Sequence, residues 1–120
     1  PAACASRRRL RQAHGEGHMS IATVRRAAQI IAAYYSVPVE SMSGRGAAHS
    51  IATTARQVAS YVSHEVMKRS YPEIGRALDR HHTTVMYAKR VIARRMTEDM
   101  VLASDIKTIT EHLPQHLRVK

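Results

Sequence analysis

Three observations in this 120-residue sequence predict an all-α domain of about five to six helices that contains a helix-turn-helix. There is no Phe and no Trp, and only five Tyr, so the core must be built from Ala, Ile, Val, Leu and Met. A β-domain normally draws on more aromatic and β-branched material. Apolar residues recur at three- and four-residue spacing in successive segments, and capping residues and prolines punctuate them.

Residues 1–19 show no sustained apolar periodicity and carry Arg7, Arg8, Arg9 and Arg11 ahead of Gly15 and Gly17. They read as a disordered basic arm or an inert leader, and Gly17-His18-Met19 resembles a cloning scar. Ser20 can cap a helix over about 20–35, with Val24, Ala27, Ala28, Ile31 and Tyr35 on one face. Pro38 stops it, and Val39-Glu40-Ser41-Met42 suits one further turn. Residues 43–50 have the composition of a loop.

A second helix is expected over about 52–68, where Ala55, Val58, Ala59, Val62 and Val66 make a narrow stripe and Arg56 and Gln57 start another side. Ser70 and Glu73 have capping-box spacing, and Pro72 falls in the first turn, where its missing donor costs nothing. The short helix 71–78 then faces Ile74 and Leu78 inward. Asp79-Arg80-His81 leave room only for a tight turn before a helix over about 82–96, with Val85, Ala88, Ile92 and Met96 as its inner stripe. Residues 98–112 complete the set, burying Val101, Leu102, Ile106, Ile109 and Leu113 before Pro114. Residues 114–120 are left as a C-terminal tail, so the domain spans 20–113.

Nineteen Lys and Arg against nine Asp and Glu give a formal charge of +10. That excess points to a polyanionic partner, nucleic acid before anionic membrane. Few aromatics are available as stacking platforms, which favours duplex over single strand. Cys4 is alone, so there is no intrachain disulfide framework. No apolar run approaches the ~20 residues of a membrane span, and no secretory signal is visible. A cytoplasmic location is expected.

Within 71–96, Arg76, Arg80, Lys89, Arg90, Arg94 and Arg95 stand against Glu73 and Asp79. The helix at 82–96 opens on His81-His82-Thr83-Thr84. Small polar side chains at a helix start, followed by basic residues along one face, suit the major groove of DNA, while the preceding helix braces the backbone. Thr83 and Thr84 can donate or accept a hydrogen bond and pack a methyl on thymine. Tyr87 follows one turn later, and Arg90 and Arg94 continue toward a flanking strand. The N-terminal amides near Tyr71 and His82 suit phosphate. Simple helix capping is the plainer role for Thr83-Thr84. The eight histidines suggest no metal site, because adjacent His81 and His82 cannot share a face and no ligand set has known spacing. No nucleotide-binding motif and no nucleophile–base pair is present, so neither an enzyme nor a cofactor is expected.

Over 20–113 the chain resembles the DNA-binding domain, domain IV, of the bacterial replication initiator family DnaA. Ile21 through Tyr35 with Val37-Pro38-Val39 is similar to the family's leading helix. Ala55-Arg56-Gln57-Val58-Ala59, with Glu65 in register, is similar to its Arg-Gln helix start. Ser70-Tyr71-Pro72-Glu73-Ile74-Gly75 and His82-Thr83-Thr84-Val85 resemble its two signatures. The resemblance implies a Trp-repressor-like helical fold that reads the DnaA box, a nine-base duplex element at the origin. It implies base contacts for His82, Thr83, Thr84 and Tyr87, with His81 beside them, and phosphate contacts for Arg56, Gln57, Pro72 and its neighbours Ser70 and Tyr71, and Arg80. Arg90 and Arg94, and Arg45 in the loop, complete the expected phosphate set.

Three departures accompany it. His81 stands where the family has an Asp suited to accept from a cytosine amino group. The turn before it is one residue shorter, and the basic loop keeps only Arg45 and His49. Sequence-selective duplex binding through 82–96 with an altered preference is therefore expected, in replication initiation or in transcription control. The setting implied is a bacterial nucleoid, or a phage or mobile element in a bacterial host. The AAA+ ATPase of full initiators does not precede the domain here, which suits a fragment or a stand-alone relative. Two other functions remain open: a small helical module that docks a protein partner, with Met86 and Met100 on its surface, and a nonspecific basic DNA-binding protein.

Overall fold

The computed structural model of the chain describes residues 16–42 and 50–118, with side chains from 21 and from 51 onward in the two segments. Within them run five α-helices and two short 3-10 turns. These are α1 (Glu16–Tyr35), a 3-10 turn (Val39–Met42), α2 (Ser50–Glu65), α3 (Tyr71–Leu78), α4 (His82–Glu98), α5 (Met100–His112) and a second 3-10 turn (Gln115–Leu117). No strand occurs among the described residues. The all-α expectation is met.

Helix α2 is the centre of the packing, against α1 on one side and α4 on another. Its Ala55, Val58, Ala59 and Val62 are fully buried. Such small and β-branched side chains let neighbouring helix backbones come close. Val24, Ala27, Ala28 and Ile31 of α1, Ile74 and Leu78 of α3, and Val85 and Ile92 of α4 complete this core, and Met42 and Met67 fill its edges. Ser60 and Ser63 are buried with them; the Ser60 hydroxyl donates to the Arg56 carbonyl at 3.2 Å.

Helices α1, α2 and α3 are each followed by a residue with positive φ that is not glycine: Ser36 (57°), Lys68 (58°) and Asp79 (54°). After α1 the Val37 amide reaches back to Ala32 O at 2.9 Å, and after α3 the Arg80 amide reaches Gly75 O at 2.7 Å. Both are the back-bonds of a left-handed helix ending, which satisfy carbonyls left open by the last turn. Lys68 is why α2 ends at Glu65 and not at 68: the chain turns there, and Met67 drops into the core.

Three other expectations are corrected. Helix α1 begins at Glu16, four residues ahead of the Ser20 cap, so Gly17-His18-Met19 is helical. Val101 is 71% exposed, not buried. Asp99 caps α5 by accepting from the Leu102 amide at 3.0 Å, and this phase puts Leu102, Ile106, Ile109 and Leu113 on the inner stripe, with Val101 about 100° away. Pro114 ends α5 as expected, yet 114–118 is not a free tail. The proline starts a 3-10 turn that returns Leu117 to the core. Tyr34 of α1 donates to Asp105 Oδ1 of α5 at 2.7 Å and ties these two helices together. Beside it, burial first, and then the Asp105 and Tyr34 charges, push the half-buried Tyr35 phenol up to about 12.

Candidate nucleic-acid interface

The start of α3 is built as its sequence dictates. Ser70 Oγ accepts from the Glu73 amide at 3.3 Å, and Glu73 Oε1 accepts from the Ser70 amide at 3.1 Å, a complete capping box with Pro72 in the first turn. Tyr71 stacks on His64 of α2, ring centroids 4.1 Å apart. His64 is half-buried, and its Nδ1–H donates to Arg69 O at 3.1 Å.

Between α3 and α4 the chain passes so close to Gly75 that a Cβ there would lie 2.5 Å from the Arg80 carbonyl oxygen. Only glycine fits under this turn. Asp79 bends left-handed, and His81 takes the extended backbone of an N-cap. The His81 Nδ1 accepts from the Thr83 amide at 3.2 Å and lies 2.7 Å from Thr83 Oγ1. Capping thus falls to His81 and not to the threonines. Val85, Ala88 and Ile92 of α4 face the core, and Lys89 binds Glu65 of α2 at 3.0 Å. The Lys89 ammonium holds the Glu65 carboxyl below its usual range, and the carboxylate raises Lys89 in turn.

With its inner face fixed, α4 presents His82, Thr83, Thr84, Arg90 and Arg94 to solvent, and Tyr87 at 65% exposure. The His81 and His82 rings lie 4.3 Å apart at its start. A cleft of about 210 Å³ separates this face from α2, lined by Thr53, Arg56, Gln57, Arg80, Thr84 and Tyr87 over an apolar floor that includes Met42 and Leu78. Arg56 is tethered there, donating to Ser41 O at 2.9 Å and to Thr53 Oγ1 at 3.1 Å. Burial, and secondarily the neighbouring Arg80 charge, make the Arg56 cation less favoured than usual. Arg80 is not tethered in this way: its Nε and Nη2 are buried and have no hydrogen-bond partner among the described residues.

The expected base-contact set, His81 through Thr84 with Tyr87, therefore lies together on one exposed surface. Arg56, Gln57 and Arg80 come together in the cleft, while Arg90 and Arg94 extend the α4 face and Ser70, Tyr71 and Pro72 start α3. Arg45 lies outside the described residues. Thr53 was not expected at the site; its place three residues before Arg56 on the same helix was the available signal. Among the described residues no three His, Cys, Asp or Glu side chains come together as a metal group would, and no helix is long and apolar enough to cross a membrane.

A short helix that braces a second one, whose exposed polar start stands free, is a helix-turn-helix, and the class it defines is the DNA-binding one. The chain belongs to the bacterial DnaA helix-turn-helix family: the family model described as the bacterial dnaA protein helix-turn-helix matches residues 24–92, more than half of the sequence. Among solved structures it is similar to one described as the crystal structure of a DNA replication initiation factor, with a TM-score of 0.67 and 23% identity. That likeness is one of fold. It covers 90% of this chain and 32% of the other, so this chain spans about a third of that protein's length.

Proposed function

We propose that this chain binds duplex DNA sequence-selectively, with α4 in the major groove and the Arg56–Arg80 cleft on a phosphate. The observation that carries the reading is Arg80. Two of its N–H-bearing nitrogens are buried without a partner, beside a second guanidinium. Burying unpaired donors is costly, and doing so next to a like charge is costlier. A phosphate in the cleft would offset the two like charges, and Arg80 turned toward it would pair its planar donors with the phosphate oxygens.

Thr84 and Tyr87 line the same cleft, so a phosphate held there would seat the N-terminal part of α4 beside base edges. In this division of labour the arginines, with Gln57, Ser70, Tyr71 and Pro72, position the duplex, and His81–Thr84 with Tyr87 read it. Family membership supports a target related to the DnaA box and a role in replication initiation or its control, in the nucleoid of a bacterial cell. The test is fluorescence anisotropy with a box-containing duplex and a scrambled duplex across a salt series. Tighter binding to the box at every salt concentration is expected, and equal affinity for the two duplexes would remove the sequence-selective claim.

One observation favours a second surface with a different role. Met100 and Val101, at the α4–α5 junction, are 87% and 71% exposed. Neighbouring apolar side chains left in water suit a protein contact. A Met100→Lys/Val101→Lys variant that keeps full DNA affinity and loses association with another protein would support that reading, and unchanged association would remove it.

A further inference from the structure

We propose that His81 determines specificity by donating one hydrogen bond, from Nε2–H, to an acceptor on the base it faces, and so disfavours cytosine there. The proposal rests on the duplex-binding mode above and adds the sign of one contact. A backbone amide can only donate. The 3.2 Å contact from the Thr83 amide to His81 Nδ1 therefore requires that Nδ1 carry no proton. The Thr83 hydroxyl lies 2.7 Å from the same nitrogen, where it can share that lone pair as a second donor. A neutral imidazole whose Nδ1 accepts holds its proton on Nε2. The cap thus sets the tautomer.

The cap also sets the direction of reading. His81 is exposed at the start of α4, its ring beside that of His82, and Nδ1 is occupied. What it can offer a ligand is a donor alone. In the major groove, guanine presents O6 and N7, thymine O4 and adenine N7 as acceptors, whereas cytosine presents an amino donor. A donor facing that amino group leaves both N–H groups unpaired, so discrimination of about three- to tenfold is expected from this single bond.

His81→Asp is the informative variant. An aspartate caps a helix at least as well, so the turn is kept, but its remaining lone pairs only accept. Sequences are selected from a random duplex pool with the wild type, His81→Asp and His81→Ala, after melting curves establish that each is folded. At one base position the wild type is expected to deplete cytosine, His81→Asp to enrich it, and His81→Ala to lose the preference, with other positions unchanged. Identical profiles from all three proteins would make His81 a cap only and overturn the proposal, while leaving sequence-selective binding intact. Absence of any preference in the wild type would overturn both. In the free protein, nitrogen–proton NMR correlation of the His81 ring should show the Nε2–H tautomer; an Nδ1–H tautomer would overturn the proposal independently of DNA.

Discussion

At the scale of single residues, the site depends on two positions whose roles pull in different directions. Gly75 is structural: a Cβ there meets a backbone carbonyl, which cannot rotate aside. Gly75→Ala should therefore cost about 1–3 kcal/mol in thermal or denaturant unfolding, the range for forced overpacking, and a variant as stable as the wild type would contradict the close approach. Arg80 is the opposite case. Its buried, unpartnered nitrogens and its proximity to Arg56 burden the free protein. Arg80→Met should leave the melting temperature unchanged or raise it. The same change should weaken DNA binding and flatten the slope of log affinity against log salt by about 0.9, one phosphate contact. A lower melting temperature with unchanged affinity would show that the side chain serves the fold instead.

At the scale of elements, the short helix α3 is marginal by length and depends on its ends. Ser70→Ala removes the hydroxyl of the capping box and should cost about 1 kcal/mol in unfolding experiments. The Lys89–Glu65 pair locks α4 to the end of α2. Because Glu65 is held below its unfolded value, its contribution is present above pH ~4.3 and is lost as pH falls through the lower folded value. Lys89 is raised, so its share is present below pH ~10.4 and is lost as pH rises through the higher folded value. Both side chains are partly exposed, so Lys89→Met should cost less than about 1 kcal/mol at pH 7 and nothing measurable at pH 2.

The helices themselves were legible, because apolar spacing, the Ser70–Glu73 box and Pro72 are local signals. The end of α2 was not. Lys68 turns left-handed without being Gly, Asn or Asp, so nothing in its identity announces the turn. Val101 went astray for a related reason. Placing Asp99 as the cap, and not Glu98 inside the helix, decides which neighbour faces the core.

At the scale of the whole molecule, the exposed face of α4 and the α2 cleft form one surface because α2 packs against α4 along its small residues. The sequence showed the two halves of this surface separately, as the Arg56-Gln57 and His82-Thr83-Thr84 motifs. Their meeting is a tertiary fact, and with it came the two features that no motif carried: the unpaired nitrogens of Arg80 and the cap at His81. The far end of the chain was hidden likewise, since a proline that ends a helix does not reveal that Leu117 returns to the core.

That α4 reads bases is tested most directly by the ratio of affinities for box-containing and scrambled duplex at one fixed salt concentration, measured for the wild type and for Thr83→Ala/Thr84→Ala. Both threonines are exposed, so the double variant should fold as the wild type does. The expected wild-type ratio is above about ten, falling toward one in the variant while affinity for the scrambled duplex is kept. A wild-type ratio of one, or a ratio that survives the double substitution, would contradict base reading by the start of α4.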